Sequence, residues 1–188
     1  MSKTIGLIAE DKSDIDVIHE ILKKYLKFGS FRVKKFVGNG CGKLRNKCDS
    51  WTTNLFDSGC DFVFIFHDLD RYDEKVLRKT LEGKICHVNS SNSLVVIPVE
   101  ELEGWLLSDS DALKKVFGLK AMPTKIYDCE TISSPKEYLR DLIYKMEKKR
   151  YLNTVHNKKI AESITLENLR RCKSFKPFDE FLNDRVCA

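Results

Sequence analysis

The chain has 188 residues, of which 42% are hydrophobic and 32% charged. That composition suits one domain of ordinary size and excludes a disordered or low-complexity chain. No apolar run approaches the ~20 residues of a membrane span, which excludes a membrane-spanning helix. Acidic residues appear by Glu10, so the opening stretch is not expected to be a signal peptide. The seven cysteines are scattered, without a Cys-x-x-Cys pair. They signal neither a zinc ribbon nor a disulfide framework, and point to a reduced, cytoplasmic setting. The net charge of +5 is uneven: residues 1–109 carry 16 basic and 17 acidic side chains, and residues 110–188 carry 17 and 11. The net +6 of the second part suits a polyanion such as nucleic acid, and equally a solvated helical surface.

Thr4–Ala9 is a short apolar run and predicts a buried strand. Ser13 reads as the N-cap of a helix whose apolar face is Ile15, Ile18, Leu22, Tyr25 and Leu26. Phe31–Val37 predicts a second, less buried strand. After the GNGCG turn at 38–42, Leu44, Cys48, Trp51 and Leu55 recur at helical spacing. Asp61–His67 is apolar almost throughout, as in a parallel strand covered on both faces. A helix over Asp73–Leu81, a short strand near Ile85–Val88 and a buried strand over Leu94–Val99 follow. The alternation predicts an α/β fold with a mainly parallel sheet flanked by helices, occupying residues 1–109. Residues 110–188 read as a basic helical extension packed on that core. Ser134, Pro135 and Glu137 mark one helix start, and further helices are expected near 159–172 and 177–184.

Three groups of acids follow strands. Glu10 ends the first, Asp68 and Asp70 follow the third, and Glu100, Glu101 and Glu103 follow the last. Ligands of parallel sheets sit outside the carboxyl ends of strands. If the first and third strands are neighbours, Glu10, Asp68 and Asp70 converge, and carboxylates so placed repel unless a cation joins them. Hard oxygen ligands with room for water suit Mg²⁺ or Mn²⁺. The plainer alternative is that these acids are helix caps and loop residues. The GNGCGKL segment lacks the spacing of a nucleotide-binding P-loop. It reads first as a glycine turn into a helix, and alternatively as a turn whose amides, with Lys43, Arg45 and Lys47, touch a nucleic-acid backbone.

Glu10-Asp-Lys-Ser-Asp14 after one strand, and His67-Asp68-Leu-Asp70 after another, resemble the TOPRIM domain of topoisomerases, primases and OLD-family nucleases. Asp11 stands where that motif has Gly. Glu103-Gly-Trp105-Leu106-Leu107, Lys158-Lys159 and Ser174-Phe175-Lys-Pro-Phe178 are similar to small stand-alone TOPRIM-like proteins encoded beside ATPases. The resemblance implies a TOPRIM-like, Rossmann-like fold. It makes Glu10 a metal ligand or general base, Asp68 and Asp70 the Mg²⁺ ligands, Asp14 an acid acting through water, and Glu103 an additional site acid. It also offers Lys158 or Lys159 as a cation for the transition state. The activity implied is metal-dependent nuclease action on DNA or RNA in a defence or mobile-element system. The alternatives are a non-catalytic subunit that binds an ATPase or nucleic acid, and phosphoryl transfer on a small molecule.

Overall fold

The computed structural model describes residues 2–26, 29–126 and 128–187. Four strands form a parallel sheet: β1 (Lys3–Ala9), β2 (Phe31–Val37), β3 (Phe62–Phe66) and β4 (Ser93–Val96), in the order β2-β1-β3-β4. The central strand β1 pairs with β2 through Ile5↔Val33 and with β3 through Ile8↔Ile65. The helices α1 (Lys12–Tyr25), α2 (Cys41–Asp57) and α3 (Glu74–Glu82) connect the strands. Beyond the sheet lie α4 (Glu103–Leu106), α5 (Ser110–Phe117), α6 (Pro135–Glu147), α7 (Asn153–Ser163), α8 (Leu166–Leu169) and α9 (Lys176–Phe181). The architecture is α/β, as the alternation of elements implies.

Strand period two sends alternate side chains to opposite faces. Ile5, Leu7, Ala9, Phe64, Phe66 and Val96 face one layer with Ile15, Ile18 and Leu22 of α1. Ile8, Val63, Ile65, Val95 and Ile97 face the other, with Leu44, Cys48 and Leu55 of α2 and Leu77 and Leu81 of α3. Gly6 leaves α2 room to lie close: a Cβ there would stand 2.9 Å from Leu55 Cδ1 and 3.0 Å from Val63 Cγ2. The first layer is continuous with residues 110–188, since Leu139, Ile143, Ile160, Leu169, Phe175 and Phe178 belong to the same apolar cluster. Phe178 meets Phe64 and Phe66 edge-on, with centroids 5.0 and 5.1 Å apart, and Trp105 meets Phe175 at 5.1 Å. Tyr25 donates to Asp179 at 2.5 Å, and Arg170 grips the same carboxylate at 2.9 Å. The second part of the chain therefore forms the cover of one sheet face.

Four local expectations change. The N-cap of α1 is Asp11, not Ser13. Its Oδ1 accepts from the Ser13 and Asp14 amides, and Asp14 accepts in return from the Asp11 amide at 3.0 Å, a reciprocal capping box. Residues 85–88 form no strand. The segment His87–Asn92 is a 3₁₀ turn, with Val88 80% exposed and so without the burial a strand there would need. β4 ends at Val96 rather than Val99, because Pro98 has no N–H to donate. Its carbonyl still accepts from the Leu69 amide at 3.1 Å. The helix expected over 159–172 is two helices, broken at Ile164–Thr165, where Thr165 Oγ1 caps α8 by accepting from the Asn168 amide.

Because Phe178 fills the sheet layer from the far end of the chain, Phe178→Ala should cost about 3–5 kcal/mol. Urea unfolding followed by circular dichroism should show one lowered transition for the whole chain. Two separated transitions would contradict a shared core.

A candidate acidic metal centre

The site lies at the carboxyl ends of β1 and β3, which are direct neighbours. Glu10 follows β1 directly, and its Oε1 accepts the Asp68 amide at 3.1 Å, closing the gap between the two strand ends. Asp68 in turn accepts the Leu102 amide at 3.0 Å, which ties the loop after β3 to the entrance of α4. Asp14 is held within the first turn of α1 and is buried, as is Glu103 at the start of α4. The four carboxylates of Glu10, Asp14, Asp68 and Glu103 act on one another. Burial, then the charges of Asp14, Glu103, Glu10 and Asp70, raise the Asp68 pKa well above the ordinary aspartate value. Burial and the charges of Asp11, Glu103 and Glu10 do the same to Asp14, partly opposed by its hydrogen bond from the Asp11 amide. Glu10 is pushed up to about 7, chiefly by burial and then by Asp70, against the lowering effect of the Asp68 amide.

Asp70 departs from the extended path. Its φ of 46° and that of Arg71, 65°, are left-handed, as is Glu100 at 58°. The Asp70 amide donates to Glu100 O at 3.2 Å, so the two turns brace each other. Asp70 consequently leaves the side occupied by Asp68 and approaches Glu10 and Cys41. One ligand atom from each of Glu10, Cys41 and Asp70 lies within 4.8 Å of the others. The site thus has a more enclosed part (Asp14 and Glu103 buried, Asp68 partly so) and a more open part (Glu10, Cys41, Asp70), with Glu10 bridging them. Carboxylates crowded at one sheet end are a donor set suited to a hard divalent ion. Among the described residues, Glu10, Cys41 and Asp70 are the ones whose ligand atoms gather and would hold it; Asp68 adjoins them through the hydrogen bond from its amide to Glu10.

Several participants carry little sequence signal. His67 is fully buried; its Nδ1 is 2.6 Å from Asp68 O and 3.2 Å from Glu10 Oε1. The carbonyl acceptor requires a proton on Nδ1, and burial lowers the pKa, so the ring is neutral and orients Glu10. Glu103 is held by α7 and the segment before it: Asn157 Nδ2 donates to Oε1 at 3.0 Å, and Tyr151 OH contacts the same oxygen at 3.4 Å while donating to Asn157 Oδ1. Lys136, in the first turn of α6, is partly buried. Burial works against its charge, but attraction to Glu103, Asp11, Glu101 and Asp14 prevails and raises its pKa. Lys158, the expected cation, instead lies 3.6 Å from Glu20 in the second half of α1, and Lys159 is exposed on α7. Arg45 of α2 stacks over Tyr72 at 4.7 Å, on the Glu10 side of the rim. Cys41 was within reach of the strand-end rule, since it follows β2 by four residues. Asn157, Tyr151 and Lys136 come from the helical cover, and no local pattern marks them.

Fold and rim together define an α/β protein with a carboxylate-rich centre at the ends of its two middle strands. The chain belongs to the DUF4276 family, described as a domain of unknown function, which it matches over residues 9–183. No curated protein and no solved structure was found to match it. No helix among the described residues is long and apolar enough to cross a membrane.

A raised carboxyl pKa makes folding hold a proton that the unfolded chain releases. Stability from this source is therefore full below the usual glutamate value of 4.5 and is lost as pH rises to about 7. Glu10→Gln keeps an oxygen for the Asp68 amide but removes the titration. In chelator-containing buffer, the variant should lose less stability than the parent chain between pH 5 and pH 8, by up to roughly 3 kcal/mol. Urea midpoints at the two pH values check this, and parallel curves would refute the pairing.

Proposed function

We propose that this protein is a Mg²⁺- or Mn²⁺-dependent phosphodiesterase of TOPRIM-like type that cleaves nucleic acid. The observation that carries the reading is the meeting of Glu10, Asp14, Asp68 and Glu103 at one sheet end, where burial and then the neighbouring carboxylates raise the pKa values of Asp14 and Asp68. A purely structural set of caps has no need to gather four acids in a partly buried place, where each adds to the others' cost. The resemblance of Glu10–Asp14 and Asp68–Asp70 to the TOPRIM motifs supports the same reading, as does the parallel sheet that presents them.

A divalent ion at such a centre supplies Lewis acidity toward a phosphoryl oxygen and an acidified water. The remaining work falls to the chain. Glu10 is kept in position by the Asp68 amide and the His67 ring, where it would hold the ion or act as the general base. Lys136 keeps its charge among the acids and offers a cation to the developing negative charge on a phosphate. Asn157 and Tyr151 fix the rotamer of Glu103. Arg45, on the open side, suits the backbone of an approaching strand. Glu101, whose carboxylate accepts the Lys136 amide at 2.9 Å, fixes the start of α6 beside the rim.

Asp68→Asn should lower Mn²⁺-dependent cleavage of labelled DNA or RNA by at least about 100-fold with unchanged circular dichroism. Lys136→Met should lower kcat by about 100-fold while leaving Mn²⁺ binding, read by calorimetry, in place. Should the parent chain bind no Mn²⁺ and cut neither single- nor double-stranded DNA or RNA, the enzyme reading is lost and the non-catalytic subunit takes its place.

A further inference from the structure

We propose that Cys129 and Cys172 form a dithiol that hydroperoxides oxidise to an intramolecular disulfide. The two residues are 43 positions apart, and their sulfurs stand 3.0 Å from each other. Both are buried, Cys172 completely and Cys129 at 3% exposure. Their proximity is built from both sides. Glu130, next to Cys129, accepts the Lys173 amide at 2.8 Å, the Ser174 amide at 2.9 Å and the Ser174 hydroxyl at 2.5 Å. Arg171, next to Cys172, donates to Ile126 O at 2.7 Å and to Ser108 O at 3.1 Å. The backbones that would carry the bridge are already clamped together, the arrangement a disulfide needs if it is to close without moving the chain.

The two sulfurs are not equivalent. Cys172 is completely buried, whereas Cys129 keeps 3% exposure. Cys129, with its residual exposure in a three-residue 3₁₀ turn, is therefore the sulfur that meets the peroxide. Its thiolate attacks one peroxide oxygen, the O–O bond breaks, and the departing oxygen takes up a proton to leave as an alcohol, or as water when the oxidant is hydrogen peroxide. Cys172 then attacks the sulfenic sulfur, forms the S–S bond and expels the oxygen as a second water, its own hydrogen completing that molecule. Two thiols and one hydroperoxide are consumed. The bridge sits against α4, since Cys129 O is 3.8 Å from where a Cβ on Gly104 would lie.

The test uses the full chain, folded, treated with hydrogen peroxide. Free thiols are then alkylated under denaturing conditions, the protein is reduced, and newly freed thiols receive a second label. The expected result is the second label on Cys129 and Cys172 and, in a digest left unreduced, a cross-linked Cys129–Cys172 peptide with a mass loss of two hydrogens. Five of the seven cysteines should carry the first label unless singly oxidised. The melting temperature should rise on the order of 5–10 °C and return after dithiothreitol. Cys172→Ser should leave Cys129 trapped by dimedone as the sulfenic acid adduct. First label on both cysteines after the exposed Cys86 and Cys187 have reacted would overturn the proposal. So would a bridge from Cys129 to any other cysteine, or oxidation of Cys129 to the sulfinic acid in the parent chain.

Discussion

Like charges crowded at one end of a parallel sheet are the constraint around which this protein is arranged. β1 and β3 lie side by side, so the residues that follow them meet, and here both are acids. Repulsion of that kind opposes folding unless the carboxylates are each held by donors or share protons or a cation. The chain supplies donors at every turn: the Asp68 amide to Glu10, the Leu102 amide to Asp68, the Asp11 amide to Asp14, and Asn157 to Glu103. Each is worth a modest amount alone. Together they fix where the oxygen atoms point, which is what a cation-binding centre requires of its surroundings.

Residues 110–188 are more than a charged appendage. They close one sheet face with Phe175 and Phe178, and they send Asn157, Tyr151 and Lys136 toward the acids. The basic character that suggested a nucleic-acid surface has another use, because Lys136 lies in the field of four carboxylates. Lys158, part of the same basic character, goes instead to Glu20. Charge counts along a chain do not distinguish these two destinations.

Strands β2 and β3 were legible because apolar runs bounded by Gly or Asp leave few alternatives: Phe31–Val37 coincides with β2, and the run at Asp61–His67 contains β3, whereas Ile85–Val88 is no strand. Glu10 and Asp68 were legible as strand-end acids, but their meeting depends on β1 and β3 being neighbours, which the order β2-β1-β3-β4 supplies. Asp70 was harder, since period two implies the same side as Asp68, whereas its left-handed φ turns it toward Cys41. Nothing in an Asp-x-Asp spacing reveals that turn. His67 carries no signal of its own in the sequence, because its role depends on a contact with Glu10, 57 residues earlier. The Cys129–Cys172 contact was invisible for the same reason: no spacing rule joins two thiols from separate turns of an irregular cover.

The grip of Asn157 and Tyr151 on Glu103 has a consequence for how such a chain can diverge. A sheet grafted onto a foreign helical cap would keep its strand-end acids yet strand one of them in an apolar pocket with no amide to face. Duplication, fusion or engineering must therefore move both halves as a unit. Tolerance to insertion should be sought instead at turns remote from that clasp, such as the solvent-facing segment around Val88.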